Sequence, residues 1–257
     1  MTLITGASSG IGADLARVFA REGHDLALVA RSGDKLARLA DEIEASGRRR
    51  PLLFPLDLTA AGATEALAAG LAAAQATPNI LVNNAGFGLI GDVAQLNAAE
   101  QLAIVDLNIR SLVEITLRFL PQIRATQGKI LNVASIASFF PGGPGMAVYY
   151  ASKAFVLSFS LGLAQELRKD SVEVSALCPG ATPSGFQDRA GFGPEVMLNK
   201  IPMTSSLEVA EAGYKGLMAG QREIIPGWLN KIGAALLPFV PNSVILTLIS
   251  RMQQKRL

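Results

Sequence analysis

Short apolar segments alternate with longer amphipathic ones along most of the chain. The short segments are rich in Val, Ile and Leu and predict β-strands at residues 2–5, 25–30, 51–54, 80–82, 129–133, 172–178 and 223–225. The longer segments repeat their apolar positions every three or four residues and predict helices at residues 13–21, 33–45, 61–75, 98–126, 149–167 and 208–219. Each predicted strand is thus joined to the next through a helix or a connection of similar length.

This alternation predicts the fold class. Strands that are joined through helices run parallel, and strands that are apolar along their whole length are covered on both faces. We therefore expect an α/β fold, a Rossmann-type doubly wound parallel sheet of about seven strands. No Ser/Gly-rich linker or repeat divides the sequence. Residues 1–227 are expected to form a single domain, and residues 228–257 an apolar helical extension that packs on it.

The first predicted strand leads into a turn that contains Gly6, Gly10 and Gly12 and precedes the first helix. Glycine adopts backbone conformations that other residues avoid, and it places no side chain between the backbone and a ligand. The free N–H groups and the positive dipole at the start of the helix then face an anion. This combination predicts a site for a nucleotide cofactor that carries a diphosphate.

Charge and composition narrow the classes of function. The 257 residues include 23 basic and 21 acidic side chains, a net charge of +2, which indicates no nucleic-acid partner. The single cysteine, Cys178, lies in an apolar run that indicates burial, and it suits a reducing, cytoplasmic location. The single histidine, His24, has no companion at metal-ligand spacing, so no metal site is expected. We expect no signal peptide, because residues 1–5 belong to the first strand, and we find no uninterrupted apolar run of the ~20 residues a membrane helix needs.

Five motifs in order resemble the short-chain dehydrogenase/reductase family over roughly residues 1–227. They are Thr5-Gly6-x-x-x-Gly10-x-Gly12, Asn83-Asn84-Ala85-Gly86 after the fourth strand, Ser135 after the fifth, Tyr149-x-x-x-Lys153 at the start of a helix, and Pro179-Gly180 after the sixth strand. Each motif alone also has a structural explanation, since Asn and Gly form turns and residues four apart share a helix face. Together, and at these spacings, they indicate the family.

The resemblance implies a catalytic set of Asn108, Ser135, Tyr149 and Lys153. In the family the tyrosine exchanges a proton with the substrate, the serine hydrogen-bonds the substrate oxygen, and the asparagine holds a water in a proton relay. The pKa of tyrosine is ordinarily ~10, and a neighbouring ammonium favours the phenolate. Lys153 is therefore expected to lower the pKa of Tyr149, together with a positively charged cofactor ring and a dry site.

Three alternatives to this set follow from the residues. Tyr150 lies three residues from Lys153 and is a second candidate for the base, although the family's motif selects Tyr149. Ser138 is a second candidate for the serine, but it lies beyond the end of the strand. Asn108 is interpreted either as the relay residue or as a buried side chain that satisfies backbone groups.

The resemblance also implies the residues that bind the cofactor. They are Gly6, Ser8, Ser9, Gly10, Ile11, Gly12, Arg31, Asp57, Asn84, Ala85, Gly86, Tyr149, Lys153, Pro179, Gly180 and Ser184, the last of these where the family usually carries threonine. Arg31 follows the second strand, and no Asp or Glu occupies residues 28–33, so NADP (NADPH) is expected rather than NAD. Ser9 departs from this preference, because many NADP-dependent relatives carry a basic residue there. Asp57 is expected near the adenine, with a helix N-cap or turn residue as the alternative.

The predicted function is hydride transfer between NADP(H) and a carbonyl or secondary alcohol group of a small molecule. The loop 139–144 and the segment 184–204 are expected to cover the site. Phe186, Phe192, Met197, Ile201 and Met203 would supply an apolar lid for a hydrophobic substrate, or pack against the core instead. A non-catalytic NADP-binding sensor is the alternative, but the complete Asn, Ser, Tyr and Lys set favours an enzyme.

The segment after Gly227 is apolar, is interrupted by Pro238 and Pro241, and ends in basic residues. Residues 243–252 combine an apolar face with a basic end. Covering the core is the favoured interpretation, ahead of pairing two copies and of lying on a membrane surface. Members of the family usually associate, so a homo-oligomer is expected by analogy.

Overall fold

The structure, a computed structural model, describes residues 1–182 and 203–254, with side chains as far as Arg251. In this part of the chain one sheet contains seven strands in the order β3-β2-β1-β4-β5-β6-β7, all of them parallel. The strands are β1 (Thr2–Thr5), β2 (Leu26–Ala30), β3 (Leu52–Pro55), β4 (Ile80–Asn83), β5 (Lys129–Val133), β6 (Glu173–Leu177) and β7 (Glu223–Ile224). The strand order reverses at β1, so a crevice forms beyond the ends of β1 and β4, where such sheets bind ligands.

Helices connect the strands and continue beyond β7. They are α1 (Gly10–Arg21), α2 (Gly33–Ala45), α3 (Ala63–Ala73), α4 (Ala98–Val105), α5 (Leu112–Ala125), α6 (Ala147–Leu167), α7 (Ser206–Met218), α8 (Trp228–Leu236) and α9 (Asn242–Gln254). The predicted strands and helices within residues 1–225 are all present, and most bounds differ from the predicted ones by three residues or fewer.

Alternating side chains of the central strands divide the core into two layers. Ile4, Val82 and Leu131 belong to a buried cluster with residues of α1, α2 and α7. The neighbouring residues Leu3 and Leu81 belong to a second cluster with residues of α3, α5 and α6. Because successive strand side chains point to opposite faces, this division places helices on both sides of the sheet. The predicted doubly wound α/β fold is confirmed.

The predicted helix 98–126 is wrong in one respect, because it is interrupted. Residues Asp106–Ser111 form a π-helix between α4 and α5. The Ser111 hydroxyl donates a hydrogen bond of 2.7 Å to the Asp106 carbonyl five residues earlier, which satisfies a backbone oxygen inside the wider turn. Insertions of this kind shift the helix face that follows, and they are frequent at functional sites. Asn108 lies inside it.

One helix among the described residues is long and apolar enough to cross a membrane by length and composition, Ala147–Asp170. It consists of α6 and the short 3₁₀ turn Arg168–Asp170. Its buried residues Val156, Leu163 and Leu167 belong to the core beside the sheet. This helix therefore contributes to the core of the fold.

The C-terminal extension forms α8, a 3₁₀ turn at Leu237–Phe239, and α9. Ala234 in α8 and Ile245 and Ile249 in α9 are buried. Leu246 lies against Gly142 in the loop that precedes α6. One side of the extension thus packs on the rest of the chain.

Candidate active site

A cleft of about 1070 Å³ lies beyond the carboxyl ends of the strands. Its walls come from the turn before α1, the segments after β4, β5 and β6, the start of α6, and α8. The described cofactor-binding candidates all line it: Gly6, Ser8, Ser9, Gly10, Ile11, Gly12, Arg31, Asp57, Asn84, Ala85, Gly86, Tyr149, Lys153, Pro179 and Gly180. Ser184 and the lid candidates Phe186, Phe192, Met197 and Ile201 lie outside the described residues.

The two Gly- and Asn-containing motifs bind each other at the base of the cleft. The Asn84 side-chain amide donates to the carbonyls of Thr5 and Gly6, at 3.0 and 3.1 Å. The Thr5 hydroxyl oxygen accepts from the backbone N–H groups of Asn84 and Ala85, at 3.0 and 3.1 Å. A Cβ atom on Gly12 would overlap the Gly6 carbonyl and the Asn84 amide. These contacts explain why both motifs are needed to form one turn.

The start of α1 is open toward the cleft. Ser9 occupies the N-cap position, and its side chain makes no capping hydrogen bond. Gly6 and Gly10 have φ angles of +66° and +53°, a region that favours glycine. The first N–H groups of an α-helix have no partner within the helix, and they attract anions.

A basic pair stands at the far end of the cleft, after β2. Arg31 and Lys35 both line the cleft, and Arg31 lies 4.0 Å from the Asp57 carboxylate. The Asp57 carboxylate also accepts hydrogen bonds from the backbone N–H and the hydroxyl of Thr59, at 3.0 and 2.7 Å. Asp57 therefore acts as a turn residue, which was the alternative interpretation of this position. It also lines the cleft, where it was expected to lie near the adenine.

Tyr149, Ser135 and Lys153 meet at the opposite end of the cleft. The Tyr149 side chain is hydrogen-bonded to Ser135, whose hydroxyl oxygen also accepts from the backbone N–H of Ala137 at 3.1 Å. Lys153 is buried, and its Nζ donates to the Val133 carbonyl at 2.8 Å. Lys153 Nζ lies 6.0 Å from the centroid of the Tyr149 ring.

Burial dominates the electrostatics of this group. It raises the pKa of Tyr149 to about 12, and the hydrogen bond with Ser135 opposes part of that increase. Burial also lowers the pKa of Lys153 to about 8. The expected lowering of the Tyr149 pKa by Lys153 is therefore not found in the protein alone, because the amine is itself desolvated and bonds to a backbone carbonyl rather than to the phenol.

The structure distinguishes Tyr149 from Tyr150, and Ser135 from Ser138. The Tyr150 ring also lines the cleft, but it packs against Gly143 and edge-on to Phe140. The Ser138 hydroxyl donates to the Lys153 carbonyl at 2.7 Å, so it supports the helix start. Tyr149 and Ser135 are thus the pair whose hydroxyls meet at the cleft.

Asn108 is buried behind the cleft wall. Its amide oxygen accepts from the Phe87 N–H at 3.0 Å, and its amide nitrogen donates to the Phe87 carbonyl and to Ser152 Oγ, at 2.9 and 3.0 Å. A Cβ atom on Gly86 would lie 3.0 Å from the Asn108 oxygen and 3.3 Å from Lys153 Nζ. Asn108 therefore satisfies backbone groups, as in the alternative interpretation, and stands one layer behind Lys153.

Several cleft residues were not predicted from the sequence. Lys35 follows Arg31 by four residues at the start of α2, a spacing that could have identified it. Leu229, Asn230 and Gly233 reach the cleft from α8, and no motif marked them. Phe140 also lines the cleft and comes from the loop 139–144 that was expected to cover the site, and Tyr150 was the second candidate for the base. The remaining lining residues Ala137, Met146, Thr182, Ala234 and Leu237 carried no signal in the sequence.

The described residues offer neither a metal site nor a reactive thiol. In residues 1–182 and 203–254 no group of three or more His, Cys, Asp or Glu side chains could hold a metal ion. The Cys178 thiol is buried beyond the end of β6, and burial raises its pKa to about 12. A thiol with this pKa remains protonated at neutral pH and is a poor nucleophile.

The shape and chemistry of the cleft fit a nicotinamide dinucleotide. The glycine turn excludes side chains where a diphosphate would lie, and the start of α1 offers N–H groups to it. Arg31 and Lys35 line the end of the cleft where the adenosine half would lie, and Tyr149 and Lys153 line the end where the nicotinamide half would lie. The cleft is large enough for both halves and for a substrate.

The chain is similar to known proteins in both sequence and fold. The sequence model of the family described as short chain dehydrogenase matches residues 1–191. Among curated proteins, the chain is similar to the oxidoreductase UcpA of Salmonella typhimurium, with 34% identity over 249 residues that cover 92% of this chain and 94% of UcpA.

Two solved structures with the same fold contain different cofactors. A short-chain dehydrogenase from Sphingobium yanoikuyae in complex with NADPH has a TM-score of 0.79 and 32% identity, over 94% of this chain and 96% of that one. A short-chain dehydrogenase/reductase from Burkholderia phymatum in complex with NAD has a TM-score of 0.79 and 26% identity, over 91% of each chain.

Proposed function

The chain belongs to the short-chain dehydrogenase family of oxidoreductases, and from that premise we propose that it is an NADP(H)-dependent reductase of hydrophobic carbonyl compounds, also able to oxidise the corresponding secondary alcohols. The observation that carries the proposal is the pair of hydroxyl side chains of Ser135 and Tyr149 in the cleft wall. This pair lies in the same cleft as the glycine turn and the basic pair Arg31 and Lys35.

Bound NADP(H) supplies the hydride, and the protein supplies the proton and the orientation. Because the pKa of Tyr149 is raised to about 12, its phenol holds a proton at neutral pH and can donate it to a carbonyl oxygen as negative charge develops there. The Ser135 hydroxyl orients the same oxygen and stabilises its charge. Lys153, anchored by its hydrogen bond to the Val133 carbonyl, offers its remaining N–H groups to the ribose of the cofactor.

The preference for NADP over NAD depends on charge at the adenosine end. Arg31 and Lys35 give this end two cations, and Asp57 is the acidic group beside them. A ribose 2′-phosphate would gain charge-assisted hydrogen bonds from the two cations, whereas a 2′-hydroxyl would not. Of the two similar structures, one contains NADPH and the other NAD, so the preference rests on Arg31 and Lys35 of this chain.

The preference for a hydrophobic substrate depends on the large apolar side chains that line the cleft. Phe140 and Met146 line the cleft, as does Tyr149, and Leu229 and Leu237 reach it from the C-terminal extension. A small polar ketone would leave these apolar side chains in contact with water. An aryl or medium-chain alkyl ketone would cover them.

The test is oxidation of NADPH and of NADH by the full chain against a panel of ketones and aldehydes graded by apolar size. We expect turnover with NADPH, kcat/KM that rises with apolar size, and a lower kcat/KM with NADH. Binding of NADPH without turnover across the panel would support a cofactor sensor instead. Turnover that prefers small polar carbonyls would contradict the proposed substrate class.

We also propose that the chain forms a homo-oligomer. Leu102, Leu117 and Phe155 are exposed apolar side chains on α4, α5 and α6. Exposed apolar side chains on neighbouring helices favour association. Sedimentation equilibrium of the protein would give a mass above that of one chain.

A further inference from the structure

The outer face of α8 is apolar and uncovered. Trp228, Ile232 and Leu236 are spaced by four residues, so they share one face of the helix. They are 70%, 49% and 57% exposed, and Phe239 in the following turn is 84% exposed. Buried Ala234 lies on the other side of this helix.

Helix α9 also has one buried and one exposed apolar face. Ile245 and Ile249 are buried against the rest of the chain, whereas Val244 and Leu248 are exposed. Arg251 follows Leu248 by three residues on this exposed face. Packing of the extension on the core therefore accounts for only one side of each helix. We call the exposed residues Trp228, Ile232, Leu236, Phe239, Val244 and Leu248 the outer face.

The C-terminal extension carries only positive side-chain charges. Residues 224–257 contain four basic residues, Lys231, Arg251, Lys255 and Arg256, and no acidic residue. Lys231 is exposed on α8, and Arg251 is exposed on α9. Two copies of this region facing each other would bring like charges together, which opposes pairing. An anionic lipid surface would attract each basic residue.

We propose that the outer face docks on the surface of an anionic lipid bilayer. Tryptophan and phenylalanine insert readily at the headgroup boundary, and basic residues beside them bind anionic headgroups. Helices α8 and α9 contain 9 and 13 residues, too few to span the ~30 Å hydrocarbon layer, so they lie in its surface.

The proposal gives the extension a role in supplying substrate. Leu229, Asn230 and Gly233 of α8 line the cleft, while Trp228 and Ile232 of the same helix belong to the outer face. Docking would hold the cleft beside the lipid, where hydrophobic carbonyl compounds concentrate. This consequence rests on the proposed substrate class, but bilayer binding itself does not.

Trp228 is the only tryptophan in the chain, so its fluorescence reports directly on the outer face. The full protein is mixed with vesicles of phosphatidylcholine containing phosphatidylserine, or of phosphatidylcholine alone, and vesicle flotation is measured in parallel. We expect a blue shift of the Trp228 emission and flotation with the anionic vesicles. Both should weaken as salt concentration rises.

Two variants retain the probe. Phe239→Ser removes an exposed aromatic ring, and Lys231→Glu reverses one charge; each is expected to weaken vesicle affinity about tenfold or more. Val93→Ser/Leu207→Ser is the matched control, because it removes two exposed apolar side chains elsewhere, 50% and 45% exposed. The control should bind vesicles as the original protein does. Circular dichroism verifies that each variant is folded.

Three outcomes would overturn the proposal. In the first, the protein neither floats nor changes its emission with anionic vesicles. In the second, the emission shifts with protein concentration in the absence of lipid, and Phe239→Ser lowers the sedimenting mass; the outer face then pairs two copies. In the third, both variants bind as strongly as the control. NADPH oxidation measured without vesicles tests the proposed function separately.

Discussion

Lys153 lies beneath Tyr149 without a hydrogen bond to its hydroxyl. Its Nζ is 6.0 Å from the centroid of the Tyr149 ring, and it donates instead to the Val133 carbonyl at 2.8 Å. Burial raises the pKa of Tyr149 to about 12 and lowers that of Lys153 to about 8. In the protein alone the phenol is therefore protonated at neutral pH, as the proposed carbonyl reduction requires.

Tyr149→Phe is expected to lower the kcat of carbonyl reduction by ~10²-fold or more, because it removes the proton donor and leaves the ring. Steady-state kinetics and a separate titration of NADPH binding check this, and the cofactor Kd should remain close to that of the original protein. Tyr150→Phe is the matched control and should retain most of the activity. Equal losses in the two variants would contradict the assignment of Tyr149.

Arg31→Ala/Lys35→Ala is expected to raise the KM for NADPH by ~10²-fold or more, because it removes two charge-assisted hydrogen bonds to a phosphate and each contributes at least ~1.5 kcal/mol. The KM for NADH should change little. Arg38→Ala is the control, since Arg38 is exposed on the same helix and does not line the cleft. If the double substitution leaves the ratio of the two KM values unchanged, the basic pair does not select the cofactor.

The glycine turn offers a test of cofactor binding that does not depend on the catalytic residues. A Cβ atom on Gly12 would overlap the Gly6 carbonyl and the Asn84 amide. Gly12→Ala should therefore displace the turn, lower the unfolding free energy by ~1–3 kcal/mol, and weaken binding of NADPH and NADH alike. Urea unfolding and cofactor titration measure the two effects.

Gly162→Ala provides the matched control for Gly12→Ala. Gly162 lies within α6, and nothing lies within 4 Å of the position its Cβ would take. Alanine there should raise stability by ~0.5–1 kcal/mol, because it reduces the freedom of the unfolded chain, and it should leave cofactor binding unchanged. Similar cofactor affinities in the Gly12 and Gly162 variants would show that the turn tolerates a side chain.

The sequence was sufficient to predict the fold, because its apolar pattern marks each strand and helix. It also placed most candidate residues, because these residues follow the ends of predicted strands. In a parallel sheet, the residues that follow Thr5, Asn83, Val133 and Leu177 meet at one edge, so motifs at those positions share a cleft whatever the loops do. The candidates were therefore predictable in position, although their chemical roles remain proposals.

The features that were missed depend on contacts that no local pattern encodes. In the π-helix the Ser111 hydroxyl donates a hydrogen bond to the Asp106 carbonyl. The apolar positions of residues 98–126 repeat without a break, so the sequence pattern predicts one uninterrupted helix there. The pKa of Tyr149 follows from burial, which the spacing of Tyr149 and Lys153 does not reveal. The two-sided extension follows from where Ala234, Ile245 and Ile249 pack, and the sequence could only name the alternatives.

The only histidine gives the fold a pH dependence of predictable sign. His24 packs edge-on to Phe19 and Tyr214, with ring centroids 5.2 and 5.8 Å apart. Its Nδ1 lies 3.4 Å from the Thr2 hydroxyl, and its Nε2 lies 3.3 Å from the Tyr214 hydroxyl. Burial, together with the charge of the N-terminal ammonium, lowers the pKa of His24, and Glu22 opposes part of this.

A lowered pKa means that the fold favours the neutral imidazole. The contribution of His24 to stability should therefore be complete above the ordinary pKa of ~6.5, and it should be lost as the pH falls below that value. His24→Gln removes the titration but keeps hydrogen-bonding capacity. In urea unfolding between about pH 7.5 and pH 5, the difference in unfolding free energy between the original protein and His24→Gln should shrink as the pH falls. Other groups titrate equally in both proteins and cancel in this difference, so a difference that is constant or grows toward acid would show that the fold does not prefer the neutral ring.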